Sequence, residues 1–119
     1  MNIYYWCPFL SNVATVKAVL NSAISIKKYS KNSISPHIIN AVGEWNQLKD
    51  QITKKNINLI NFTKSETLYN SLPRYSYLKS RFSYIVIFFI TLLKLYSFLK
   101  NRDKQDIFII HLISSLPLM

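Results

Sequence analysis

Glycine is nearly absent from this chain of 119 residues, since Gly43 is the only one. Collagen-like chains and flexible linkers need many glycines, and Gly-rich phosphate loops need several at fixed spacing. The sequence therefore matches none of these classes. Cysteine is equally scarce, and the lone Cys7 can form neither an internal disulfide nor a cysteine metal cluster. We accordingly predict no metal site and no cofactor.

Acidic residues are also few, because five of them oppose fifteen basic residues and leave a net charge of +10. This balance favours an anionic partner, which could be nucleic acid, an acidic lipid surface or a phosphorylated ligand. A biased nucleotide composition of the source genome would produce part of the same lysine excess. Nucleic-acid binding needs basic residues clustered with exposed aromatic side chains. The basic residues here are dispersed, so no nucleic-acid partner is predicted.

An uncharged apolar run long enough to span a bilayer is missing as well. The N-terminus has no basic start and no extended apolar region, so no signal peptide is predicted and the cytoplasm is the expected compartment. The longest uncharged apolar run, residues 82–93, is shorter than the roughly twenty residues that span a bilayer. Lys94 then interrupts it, which disfavours a transmembrane helix. Half of the residues are nevertheless apolar and only 17% are charged, which indicates a packed domain.

Apolar periodicity predicts alternating strands and helices along the chain. A Rossmann-like parallel sheet with flanking helices, an α/β fold, is the expected architecture because each crossover is long enough for parallel pairing. The predicted strands are residues 3–6, 37–42, 57–62 and 106–111; the predicted helices begin at Ser11, cover 44–55 and cover 82–98; a long polar loop is predicted at 63–77.

The helix at 82–98 has a narrow polar stripe and a wide apolar face, with basic residues at both ends. Two interpretations remain open: the apolar face rests on anionic lipid, or it packs on the sheet or on another domain. The stripe is formed by Ser80, Ser83, Thr91, Lys94, Ser97 and Asn101, and the flanking cations are Lys79, Arg81, Lys100 and Arg102.

Ligands of such folds bind beyond the carboxyl ends of the strands. His111 ends the fourth strand and is either an acid/base or hydrogen-bonding group or a buried, satisfied histidine. Glu44 either accepts a hydrogen bond from a ligand hydroxyl or is a first-turn helix glutamate favoured by the helix dipole. The full set of candidate positions at this edge is Ser11, Asn12, Gly43, Glu44, His111 and Ser114.

Three segments carry a resemblance to a known family. They are Trp6-Cys7-Pro8-Phe9 with residues 11–19, residues 40–45, and residues 106–112 followed by 114–118. Together they resemble the N-terminal domain of bacterial family 4 glycosyltransferases. In that family the last segment often contains two histidines one residue apart. Ile109 stands at the first position here, and only His111 matches.

The resemblance implies the GT-B fold, in which two Rossmann-like domains face each other. Residues 1–119 would be the N-terminal, acceptor-side domain, truncated before the C-terminal donor-binding domain. The intact enzyme would transfer a sugar, with retention of configuration, from a nucleotide-sugar to a lipid-linked or polysaccharide acceptor in cell-envelope synthesis. The nucleotide-sugar would be a co-substrate, and the 119-residue chain alone is expected to be inactive.

By the same resemblance, His111 lines the cleft, the loop after the first strand approaches the donor diphosphate and the acceptor, and the protein is peripheral on the inner face of the plasma membrane. The alternative is a small non-enzymatic protein that binds a membrane or a partner through the apolar helix at residues 82–100.

Overall fold

The structure, a computed structural model, describes residues 1–11, 14–31, 33–63 and 66–111, and for residues 66 and 67 the backbone only. It alternates strands and helices as the sequence predicts. In chain order these are β1 (Asn2–Trp6), α1 (Ala14–Tyr29), β2 (Ser35–Asn40), a 3-10 turn (Asn46–Leu48), α2 (Lys49–Lys54), β3 (Asn58–Asn61), α3 (Glu66–Ser71), α4 (Tyr77–Lys100) and β4 (Ile107–Ile110).

The four strands form one parallel sheet in the order β3-β2-β1-β4. The chain first winds outward from β1 to β2 and β3, then crosses back to place β4 on the other side of β1. Strand order therefore reverses between β1 and β4, as it does in doubly wound folds. The predicted Rossmann-like α/β fold is confirmed.

Side chains of β1 alternate between the two faces of the sheet. Tyr5 packs with Val16 and Val19 of α1, whereas Tyr4 and Trp6 pack on the opposite face, where Phe98 of α4 covers them. Both faces are thus covered, which explains why β1 is a continuous apolar run and not an alternating one.

β2 begins two residues earlier than predicted and contains a proline. Pro36 pairs with Ile3 of β1, but pairing with β3 starts only at His37 and Asn58. Proline has no amide proton to donate to a ladder. It is tolerated here because β2 has a single neighbouring strand at that position.

Two predictions for the connections were wrong. The helix expected over residues 44–55 is regular only from Lys49 and is preceded by the 3-10 turn. The loop expected over residues 63–77 contains α3, a helix of six residues. It is held by tertiary contacts, since Tyr69 is buried and Leu72, which follows the helix, is buried beside it.

α4 starts five residues before the predicted helix and has 24 residues, which makes it about 36 Å long. The strands have four to six residues and span only about 13–20 Å. The C-terminal third of α4 packs on the sheet through Leu95 and Phe98. Its first half packs through Ile87 with Leu10 and Val42, which lie beyond the carboxyl ends of β1 and β2. α4 therefore extends past the carboxyl edge of the sheet.

Candidate functional site

The carboxyl edge of the sheet collects the candidate residues that the structure describes. Ser11 follows β1, Gly43 and Glu44 follow β2, and His111 follows β4 directly. Asn12 and Ser114, the other two predicted site residues, lie outside the described residues. The four described positions share one edge because all strands are parallel.

His111 lies where strand order reverses. Its amide donates a hydrogen bond to the carbonyl oxygen of Trp6 at 3.0 Å, which continues the pairing of β1 with β4 by one step. Its imidazole stacks near the ring of Tyr5, with the centroids 6.2 Å apart and the planes at 24°. The side chain is half-buried, so part of it is accessible from the crevice that a doubly wound sheet forms at this point.

The segment that follows β1 is tightly packed. Cys7, Phe9 and Leu10 are buried, and the Phe9 ring meets the Trp45 ring edge-on at 5.0 Å. The Tyr69 hydroxyl donates to the carbonyl oxygen of Leu10 at 3.1 Å. This segment is thus fixed from both sides of the sheet, and within residues 7–11 the first exposed side chain is Ser11.

Cys7 is chemically inert in this packing. Burial, with a further contribution from the negative charge of Glu44, raises the pKa of its thiol from 9.0 to about 12. Because the thiolate is the nucleophile of cysteine chemistry, a thiol with this pKa does not react near neutral pH.

The turn after β2 is built around Gly43 and Glu44. Gly43 has φ of 102°, a left-handed conformation that glycine adopts without steric cost. Glu44 is 0% exposed. Its Oε1 accepts the amide proton of Ala41 at 2.9 Å and its Oε2 accepts that of Val42 at 2.7 Å. The side chain therefore folds back over its own turn, which is why no helix starts at residue 44.

Electrostatics at Glu44 are dominated by burial, which raises its pKa from 4.5 to about 7 although the backbone hydrogen bonds favour the charged form. Both carboxylate oxygens are occupied by backbone amides. A ligand hydroxyl would have to displace one of them to reach this side chain, so ligand binding by Glu44 stays a prediction that this conformation does not favour.

Asn40 organises the same turn and was not predicted as a site residue. Its amide nitrogen donates to Oδ1 of Asn46 at 2.8 Å and of Asn61 at 2.7 Å, and its Oδ1 accepts the amide proton of Trp45 at 3.1 Å. A buried amide with this many partners joins the ends of β2 and β3. Asn40 therefore stabilises the conformation of the turn at the carboxyl edge.

Arg74 is a cation at this edge that the sequence pattern did not single out. Its guanidinium lies over the Tyr69 ring at 4.0 Å, and Nη2 donates to the carbonyl oxygen of Tyr69 at 2.5 Å. Because Tyr69 in turn contacts Leu10, Arg74 is held near the segment after β1. Guanidinium has five N–H donors in all and binds phosphate or carboxylate well. The sequence predicts a loop at residues 63–77 and so gives no reason to select Arg74. Its position depends on α3.

The outer side of α4 forms the second functional candidate. Ser83 and Thr91 of the polar stripe are buried against the domain, and the ammonium of Lys94 donates to the carbonyl oxygen of Phe62. The opposite side presents large apolar side chains to solvent: Leu78, Phe82, Ile85, Phe89, Leu92, Leu93 and Tyr96. By length and mean hydropathy, 2.0 over its most apolar window, α4 is capable of crossing a membrane.

A groove of about 490 Å³ runs between the edge strand β3 and α4, lined in part by Asn61, Lys94 and Asn101. No group of three or more potential metal-ligating side chains occurs among the residues that the structure describes. Comparison with known proteins found no matching family model, no similar curated protein and no similar solved structure. The functional conclusion therefore depends on the geometry of this chain.

Proposed function

We propose that this chain is the acceptor-side domain of a glycosyltransferase, which transfers a sugar from a nucleotide-sugar to a lipid-linked or polysaccharide acceptor. The observation that carries the proposal is the strand order β3-β2-β1-β4, whose reversal between β1 and β4 brings His111 beside the segment after β1. Nucleotide-sugar enzymes of the GT-B type use such an edge as one wall of their cleft, and the sequence resembles one of their families in this region.

His111 is the residue with the chemistry for this site. A ring nitrogen of its imidazole can hydrogen-bond an acceptor hydroxyl or accept its proton during transfer. Arg74 adds a positive charge near the segment after β1, suited to the diphosphate of the donor. Ser11 adds an exposed hydroxyl at the end of that segment.

Donor binding requires a second Rossmann-like domain that faces this edge. In the proposal that domain is supplied by the same polypeptide or by a separately encoded partner. The 119-residue chain alone is expected to show no transfer and no hydrolysis of nucleotide-sugars, because one wall of a cleft does not enclose the donor.

The test begins with the reading frame beyond the codon for Met119. If it encodes a second α/β domain, the full protein is assayed for nucleotide release from UDP- and GDP-sugars with membrane lipid extract as acceptor. His111→Ala is expected to lower kcat/KM by about 100-fold or more, the lower range for loss of an acid/base group.

The chain offers a matched control in its other histidine. His37 lies in the first half of β2, toward the amino ends of the strands, with its Nε2 3.2 Å from Oδ1 of Asn2. His37→Ala should leave kcat/KM within about threefold, since it is remote from the crevice. Equal losses in both variants, or no loss in either, would overturn the role of His111.

A second function, a non-enzymatic membrane- or partner-binding protein, is favoured by a different observation. Both carboxylate oxygens of Glu44 are occupied by backbone amides of its own turn, whereas the apolar side of α4 is exposed to solvent. A reading frame without a second domain, together with no Rossmann-like partner that co-purifies with the chain, would select this function over the first.

A further inference from the structure

α4 has its polarity reversed relative to an ordinary surface helix. A surface helix buries its apolar stripe and exposes its polar residues. In α4 the buried side chains are Ser83, Ile87 and Thr91, and Ser83 Oγ donates to the carbonyl oxygen of Pro73 at 2.7 Å. The exposed side is a continuous row of Phe, Leu, Ile and Tyr. An exposed apolar surface of this extent marks a binding site for lipid or another apolar surface.

Charge selects lipid as the occupant. Residues 77–100 contain no aspartate or glutamate. Cations lie at both ends of α4 and just after it, at Lys79, Arg81, Lys100 and Lys104. Lys94 and Arg102 are not counted with them, because they bind Phe62 and Tyr4. Basic residues that border an apolar helix face attract anionic lipid headgroups, and each contributes on the order of 1 kcal/mol near such a surface.

The contacts that α4 makes with the rest of the protein decide its orientation relative to the bilayer. Lys94 is bonded to the Phe62 carbonyl, and Leu95 and Phe98 lie against the sheet with Tyr4. A helix that crossed the bilayer would have to release these contacts along most of its length. A helix that lies flat keeps all of them and still buries its outer side in the interface.

We infer that α4 is an in-plane anchor that docks this chain on an anionic bilayer, with the helix axis parallel to the membrane and the row from Leu78 to Tyr96 inserted among the acyl chains. This inference goes beyond the proposed sugar transfer and does not depend on it. Its consequence for the substrate does rest on that proposal: because the first half of α4 lies beside the carboxyl edge, the acceptor would be the lipid-linked one, arriving along the membrane.

The first experiment measures binding of the 119-residue chain to vesicles of phosphatidylglycerol and phosphatidylcholine in equal parts, by co-sedimentation. The double variant Phe89→Gln with Leu93→Gln, at positions 66% and 77% exposed, should weaken binding by about 100-fold. The matched control is Tyr29→Gln with Tyr75→Gln, at positions 74% and 101% exposed but outside α4. It should bind within about threefold of the original chain.

All four replacements are at exposed positions, so both double variants should fold, and far-UV circular dichroism checks this. Pure phosphatidylcholine vesicles and high salt should each reduce binding, because the cations then lose their anionic partners. Equal binding of the two double variants, or binding that is indifferent to lipid charge, would overturn the docking surface. Neither result would bear on sugar transfer, which is measured separately on the full protein.

The second experiment tests orientation. Single cysteines at Phe82, Phe89 and Tyr96 carry a bimane label, and quenchers placed at shallow and deep positions of the acyl chain report its depth. An in-plane helix holds all three labels at one shallow depth, about 5–10 Å below the headgroups. A deep label at Phe89 with shallow labels at Phe82 and Tyr96 would show a spanning helix and overturn the inference.

Discussion

α1 and α4 cover opposite faces of the same sheet and follow opposite rules. α1 buries Val16, Val19 and Ala23 and directs polar side chains to solvent. α4 buries Ser83 and Thr91 together with Ile87, and it directs most of its large apolar side chains away from the protein. The sheet is thus protected from water on the α1 side by an ordinary amphipathic helix. On the other side it is covered by α4, whose outer side is apolar and exposed to solvent.

The difference teaches that helical periodicity fixes which side chains share a face but not which face is directed inward. A 3.6-residue period predicts that both segments are helical. Only packing against β1, where Tyr5 faces one helix and Tyr4 the other, decides the orientation.

The strongest test of this comparison places the same charge on both helices. Val19→Asp buries a carboxylate without a partner against the sheet and should cost about 4 kcal/mol or more, most of the stability of a small domain. Leu93→Asp, on the outer side of α4, should change the free energy of unfolding by less than about 0.5 kcal/mol. Urea denaturation followed by the fluorescence of the buried Trp6 and Trp45 measures both.

If Leu93→Asp unfolds the chain as Val19→Asp does, the outer side of α4 is part of the core and the contrast between the two helices fails. The same two variants are also tested for binding to anionic vesicles, which measures the role of each position in lipid binding instead of stability. There Leu93→Asp should lose lipid binding although the fold is intact.

A smaller effect is expected at the turn that joins the two sides of the sheet. Ala41 and Val42 pack on the α4 side, Trp45 packs on the α1 side, and Glu44 holds the turn between them. The folded chain keeps a proton on Glu44 to higher pH than the unfolded chain does, because burial raises its pKa from 4.5 to about 7. Its contribution to stability is therefore greatest below pH 4.5.

This contribution is lost as the pH rises from 4.5 to about 7, which amounts to about 3 kcal/mol. Glu44→Gln has no such proton and should remove the slope. His37 works in the opposite direction, because burial lowers its pKa and makes protonation cost stability. Subtracting the pH profile of the variant from that of the original chain cancels the histidine. A difference that is flat between pH 4.5 and 7 would contradict the pKa of Glu44.

The smallest effects concern how each helix is attached to β1. The Tyr5 hydroxyl lies 2.8 Å from Ser22 Oγ of α1, and the Tyr4 hydroxyl accepts a hydrogen bond at 3.1 Å from Arg102, which follows α4. Arg102 also lies over the Phe98 ring at 4.2 Å. Ser22→Ala should cost about 1 kcal/mol and Arg102→Ala about 1–2 kcal/mol.

Thermal unfolding of both variants, with Tyr4→Phe and Tyr5→Phe to complete two double-mutant cycles, gives the coupling in each pair. A larger coupling at Tyr5 than at Tyr4 would mean that α1 is the more firmly attached helix. That result would reverse the ranking expected from the charged donor that Arg102 presents to Tyr4.

Much of the fold follows from local pattern. β1 and α1 are predictable because their apolar residues recur at the strand and helix periods, and the order of elements then implies a parallel sheet. α3 was not predictable in this way, since its six residues depend on the burial of Tyr69 and the adjoining Leu72 against distant segments. The break before α2 was hidden too, because nothing local indicates that the Glu44 side chain turns back to bind two amides.

The candidate site was predictable in position but not in accessibility. Parallel strands place Ser11, Gly43, Glu44 and His111 at one edge, as expected. Whether each side chain is accessible to a ligand depends on packing between segments far apart in sequence. That packing buries Glu44 fully and leaves His111 half-buried. The position of Arg74 depends on α3 and could not be anticipated without it.

The low reactivity of Cys7 is useful for labelling experiments. Cys7 is buried within the segment after β1 and its thiol pKa is raised to about 12, so it should react only slowly with labelling reagents while the fold is intact. Cysteines introduced on α4 can therefore be labelled without first removing the native one. Any slow labelling of Cys7 itself would then report local unfolding of the segment after β1.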